Sequence, residues 1–158
     1  MPFIFANIKV FMFFIFNNFI QLLLPLFIHL NNPAPQEELK IDIANIRNNK
    51  GFILISLFKD GTGYPDQADK AFRKAKVVIT EKKAFVVFND IPAGNYAVSV
   101  LHDENGDQVL NKNKLGLPKE GYGFSNNVAG GFGPPSYYRA RFKYEKKNQH
   151  KMLIRLRY

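Results

Sequence analysis

The stretch "AFVVFNDIPAGNYAVSVLHD", residues 84–103, holds two runs of aromatic and β-branched residues around a Pro/Gly turn. Runs of this kind, bounded by Asn, Asp, Pro and Gly, read as β-strands separated by a turn. Tyr96 follows Gly94 by two residues. In some sandwich domains a Tyr so placed returns its hydroxyl to the backbone of the turn and fixes the corner between sheets. An ordinary core aromatic is the competing role, and both are structural.

The same period of two extends outward. Upstream, "LKIDIANI" (39–46) puts Leu39, Ile41 and Ile43 on one face, "NNKG" (48–51) supplies a turn, and "FILISLFK" (52–59) is apolar on both faces, as a central strand is. "KVVIT" (76–80) precedes the charged turn "EKK", and "YYRARFKYE" (137–145) and "KMLIRLRY" (151–158) complete the set. The expected fold is all-β, an antiparallel seven-stranded β-sandwich of immunoglobulin-like or transthyretin-like type. "DQADKAFRKA" (66–75) reads as one short helix or crossover capped by Asp66, with a solvated loop as the competing reading. Residues 114–138 read as a long Gly/Pro-rich loop. Its Tyr122, Phe124 and Phe132 either fold back as a lid or line a binding surface.

Residues 1–36 differ sharply from the rest. Lys9 is their one charged residue, and a run of about 20 mostly apolar residues follows it before "PAPQEE". This reads as a signal peptide or an N-terminal membrane anchor plus linker, with residues 37–158 as the folded domain. The sign of Lys9 against Glu37 and Glu38 places that domain outside the cytoplasm, whether periplasmic, secreted or membrane-anchored. The absence of Cys excludes a lipid-modified Cys, an Fe–S cluster, a Cys nucleophile and Cys-ligated zinc.

The formal charge is +9, and residues 138–158 hold eight Lys and Arg against Glu145 alone. A terminal hairpin turning at Lys147–Gln149 pairs Tyr144 with Met152, Phe142 with Ile154 and Ala140 with Leu156. Its other face then sets Arg141 opposite Arg155 and Arg139 opposite Arg157. Like charges directly opposite destabilise a sheet unless screened. This stripe is either a solvated face or a docking face for an anionic envelope surface, an acidic glycan or a protein. Export disfavours nucleic acid, and no aromatic single-strand-binding motif is evident.

Chemistry has two places to sit. From Asp103 the spacing runs Asp103, Asn105, Asp107, Val109, Asn111, matching alternate positions of a calcium loop. Gln108 stands where that loop wants Gly, and Lys114 where it wants a closing Glu. Two readings stay open: a weakly held calcium ion, in the range of roughly 10⁻⁴ to 10⁻³ M, or an Asx-rich turn bonded to its own backbone. His102 with Asp103 or Glu120 suggests acid–base work in an envelope hydrolase or isomerase. Neighbours on a strand point to opposite faces, however, which argues against a His102–Asp103 pair. Neither Ser125 nor Ser136 lies in a nucleophile elbow, and no HExxH or phosphate loop is present. The chain therefore reads as a non-catalytic module rather than an enzyme.

"VVFNDIPAGNYAVSVLHDENGD", then "LGLPKEGYGFSNN" and "GPPSYYRARF", with "YPDQADKAF" upstream, resembles the bacterial domain-of-unknown-function family 2141 over approximately residues 39–158. The resemblance implies a small exported β-sandwich domain of the envelope, similar in style to transthyretin-like and carboxypeptidase-regulatory-like modules, with no established activity. It also carries Asp103, Asn105 and Asp107 over as the family's acidic loop. Members usually read "NGNGKLD" there, so Gln108 and Asn111 are departures that weaken the calcium reading for this chain.

Overall fold

The computed structural model describes residues 37–131, 133–146 and 150–158. The leader, Phe132 and the turn at Lys147–Gln149 lie outside the described residues.

The described chain is all-β, with eight strands in two sheets. In one sheet, β1 (Glu38–Ala44) lies between β4 (Ala84–Asn89) and β8 (His150–Arg155). In the other, the order is β3 (Arg73–Val78), β2 (Phe52–Lys59), β5 (Gly94–Asp103), β6 (Gly121–Phe124). The far edge of β5 is shared end to end: β7 (Phe142–Tyr144) pairs with Gly94–Tyr96, and β6 pairs with Ser99–His102. One apolar cluster draws on both sheets, with Leu39, Ile41 and Ile43 from β1, Ile53, Ile55 and Leu57 from β2, and Tyr96, Val98 and Val100 from β5. Alternation along each strand aims these side chains to one face.

Tyr96 behaves as its spacing predicts, donating its hydroxyl to the Pro92 carbonyl at 2.7 Å. Its ring is buried among Phe72, Phe142 and Tyr144. β2 is the central strand expected, flanked by β3 and β5.

Four expectations change. Strand β6 lies inside the segment read as a loop, with two glycines in its four residues. Both are glycine for closeness: a Cβ on Gly121 would sit 2.5 Å from the Tyr158 ring, and one on Gly123 would sit 2.8 Å from Ile154. The 66–75 stretch forms only a single 3-10 turn, Ala68–Lys70, before β3 begins at Arg73, where six residues pair with β2. The terminal hairpin does not form: β7 pairs with β5, and β8 pairs with β1 in parallel, so the first sheet is mixed rather than antiparallel. Tyr137–Ala140, read as strand, makes a short helix (α1).

Candidate functional site

The loop from Glu104 to Glu120 is built around two buried carboxylates. Asp103, at the end of β5, is fully buried. Its Oδ1 accepts from the Gly106 amide at 2.8 Å and its Oδ2 from the Gln108 amide at 3.1 Å. Glu120 is almost as buried, and its oxygens accept from the amides of Glu104 at 2.9 Å and Asn111 at 3.0 Å. Burying a carboxylate is costly unless hydrogen bonds replace water, and here backbone N–H groups do so. Both side chains clamp the loop rather than face solvent.

Three other residues of the expected ligand set converge above them. Asn105 donates its amide to Asp107 Oδ2 at 2.9 Å and to Asn111 Oδ1 at 2.8 Å, and Asn111 donates to Asp107 Oδ2 at 2.9 Å. Asp107 Oδ1 accepts from the Val109 amide at 2.9 Å. Hydrogen bonds from Asn111, Val109 and Asn105 hold the Asp107 carboxyl below its ordinary pKa. Asp103 is thus taken up by backbone amides while Asn105, Asp107 and Asn111 bond one another, and the Val109 side chain is exposed. No group of three or more His, Cys, Asp or Glu that could hold a metal occurs among the described residues.

His102 is fully buried beside the loop. Its Nε2 lies 2.8 Å from the Lys50 carbonyl, which can only accept, so Nε2 carries a proton. Its Nδ1 lies 2.8 Å from the Tyr158 hydroxyl, which also accepts from the Arg47 amide at 3.1 Å. With the neutral ring, Tyr158 donates to Nδ1 and the chain of bonds is complete. The Arg47 guanidinium lies over the Tyr158 ring at 4.5 Å and pairs with Glu104 at 2.6 Å. Burial pushes the Glu104 carboxyl up, but hydrogen bonds from Asn48 and Arg47 and the charge of Arg47 outweigh it, leaving the pKa below its ordinary value. Gly51 has φ +66 and packs directly on the Asp103 carbonyl, where no Cβ fits. The sequence singled out His102 but offered no signal joining it to Arg47, Glu104 and Tyr158, because the group draws on three separate segments.

The second assembly is "SNN" at 125–127. β5 loses its ladder partner between β6 and β7, and Ser125 fills that gap. Its Oγ accepts from the Val98 amide at 2.9 Å and donates to the Ala140 carbonyl at 2.6 Å. The Asn126 side-chain amide donates to the carbonyls of Arg139, Ala140 and Arg141 at 3.3, 3.1 and 2.9 Å. Asn127 takes the other side, donating to the Leu153 carbonyl at 2.8 Å and accepting from the Arg155 amide at 2.8 Å. Both asparagines have positive φ, 59° and 52°, a conformation Asn tolerates better than most residues.

This clasp gathers Arg139, Arg141, Arg155 and Arg157, though not by the predicted cross-strand pairing. All four are exposed. Arg139 Nη1 donates to the Ala129 carbonyl at 2.9 Å, Arg157 Nη2 to the Asn127 carbonyl at 3.4 Å, and the Arg141 guanidinium lies 3.8 Å from the Tyr138 ring centre. Carbonyls and a ring orient these groups without cancelling their charge. Phe124 is buried and Tyr122 half-buried; the two rings touch each other, and the Phe124 ring also touches that of Tyr64.

A family model described as "Uncharacterized protein conserved in bacteria (DUF2141)" matches residues 41–152, and the chain belongs to that family. No curated protein and no solved structure matches it.

Proposed function

We propose that this family member is an exported, non-catalytic binding module of the cell envelope, a β-sandwich of immunoglobulin-like or transthyretin-like type that docks on an anionic partner through Arg139, Arg141, Arg155 and Arg157. The carrying observation is the Asn126–Asn127 clasp, which draws these arginines from two separate segments to one exposed place. Positive charge gathered at a cost in self-repulsion favours an anionic ligand. Export rests on the apolar leader after Lys9. The non-catalytic reading is favoured over a hydrolase or isomerase because both ring nitrogens of His102 are occupied inside the fold. A general base has to reach a substrate proton, and Asp103 and Glu120 are likewise occupied by amides.

The test is the affinity of the full chain for a soluble sulfated polysaccharide at two salt concentrations. Binding is expected to weaken with salt. Replacing all four arginines by Gln should lower it at least about tenfold, the loss of about 1.4 kcal/mol, and flatten the salt dependence. Equal affinity and equal slope in that variant would defeat the proposal.

The convergence of Asn105, Asp107 and Asn111 supports a second feature, a weakly held calcium ion above the clamped loop. Turning the two side-chain amides would aim their oxygens at the same point as Asp107, at the loss of the bond that Asn105 Oδ1 accepts from the Asp107 amide at 3.1 Å. Millimolar calcium should then raise the melting temperature, and Asp107→Asn should abolish the rise. A wild-type protein that melts unchanged would leave the hydrogen-bonded turn as the whole account.

A further inference from the structure

Between Asn111 and Lys119 the chain makes a short hairpin whose order owes nothing to its apolar side chains. The Lys119 amide donates to the Asn111 carbonyl at 2.8 Å, and the Asn113 amide to the Leu117 carbonyl at 2.8 Å. Lys112 and Pro118 face each other across a bridge. At the tip, Asn113 Oδ1 accepts from the amides of Leu115 at 2.9 Å and Leu117 at 3.0 Å, an Asx turn closed on both sides. Gly116 takes φ +78 there, with open space around it. Glu120 holds the base through the amides of Glu104 and Asn111.

The result is an ordered tip that holds Leu115 and Leu117 outward, 84% and 58% exposed. Around them stand Lys112, Lys114 and Lys119, and residues 108–119 contain no acid. Single exposed apolar residues are ordinary on protein surfaces. Two leucines one residue apart, held at a turn in a segment whose only charged residues are lysines, are a more specific arrangement. They match a surface that is apolar within and negatively charged above. Lysines suit its boundary, because their stems lie against apolar material while their ammonium groups stay with phosphates.

We propose that the 111–119 hairpin docks into the surface of an anionic bilayer, with Leu115 and Leu117 entering the acyl boundary and Lys112, Lys114 and Lys119 held at the headgroups. This is independent of the arginine face, which could bind a soluble polyanion without any insertion.

The chain has no Trp, so Leu115→Trp supplies a single reporter, and Val78→Trp, on exposed β3, supplies its control. The full-length variants are reconstituted into phosphatidylglycerol vesicles and, separately, into phosphatidylcholine vesicles, and indole accessibility to acrylamide is measured. In phosphatidylglycerol the indole from Leu115→Trp should be shielded several-fold relative to that from Val78→Trp, with a blue-shifted emission. Equal accessibility at the two positions overturns the proposal, and so does shielding that is as strong in phosphatidylcholine. The chain also has no Cys, so Leu115→Cys carrying an environment-sensitive dye gives the same reading where the indole perturbs folding. Replacing the three lysines by Gln should weaken the anionic-lipid preference by roughly fivefold per lysine, each being worth about 1 kcal/mol at such a surface. An unchanged preference overturns the assignment of anionic lipid and leaves a protein groove as the better partner.

Discussion

Replacing Glu120 by Gln should loosen the whole 104–120 loop. The two oxygens of this buried carboxylate each accept one backbone N–H, from Glu104 on one side and Asn111 on the other. Gln keeps the length and one acceptor, but it sets an NH2 group against the second N–H. One charge-assisted bond is lost and the other becomes neutral. Hydrogen bonds to charged groups contribute about 1.5–3 kcal/mol and neutral ones about 1 kcal/mol, so losing one and downgrading the other costs about 2–5 kcal/mol. Against a typical domain stability of about 5–15 kcal/mol, that is a large share. Urea unfolding at neutral pH measures it, and amide exchange at Glu104 and Asn111 shows whether the opening is local. A change below about 1 kcal/mol, the size of one neutral bond, together with unaltered exchange at both amides, would refute the clamp.

Two further outcomes follow from the His102 end. The Glu104 carboxyl has a folded-state pKa below its ordinary value of 4.5, so its contribution is present above that value and is lost as pH falls through the folded pKa; acid titration of stability should therefore be shallower in Glu104→Gln, and an identical profile would contradict the Arg47–Glu104 pairing. Tyr158→Phe removes the hydroxyl that joins the Arg47 amide to His102 Nδ1, leaving the buried Nδ1 unsatisfied at a cost of about 1–3 kcal/mol, read as a lower melting temperature and a shifted His102 ring resonance.

The strands were legible where one side of the chain is buried and the other is not. Leu39, Ile41 and Ile43 announce β1, and the Gly94–Tyr96 spacing announces the corner, because both signals are local. β6 was hidden because its glycines carry no strand signal; they are dictated by the Tyr158, Ile154 and Leu156 side chains that lie against them. The fate of the final strands was hidden for a different reason. A hairpin pattern specifies which residues share a face, but not whether β8 pairs with β7 or with a strand more than 100 residues earlier. The four arginines were read as a stripe on a terminal hairpin that does not form; what ties their segments together is two adjacent asparagines, residues that accept positive φ. Their signal was present in "FSNN", read only for its serine. Within the loop, spacing picked out Asp103, Asn105, Asp107 and Asn111, but not that Asp103 faces amides while the other three face one another.

The parallel pairing of β1 with β8 has a mechanical consequence. The beginning of β1 and the end of β8 lie at opposite ends of one ladder, with six residue pairs from Leu39–His150 to Ala44–Arg155 between them. A pull applied at Glu38 and Arg155 would run along that ladder and load its bonds together in shear, instead of peeling them one at a time. A domain tethered through its amino end and gripped near its carboxyl end would resist stretching through the pairing of its first and last strands.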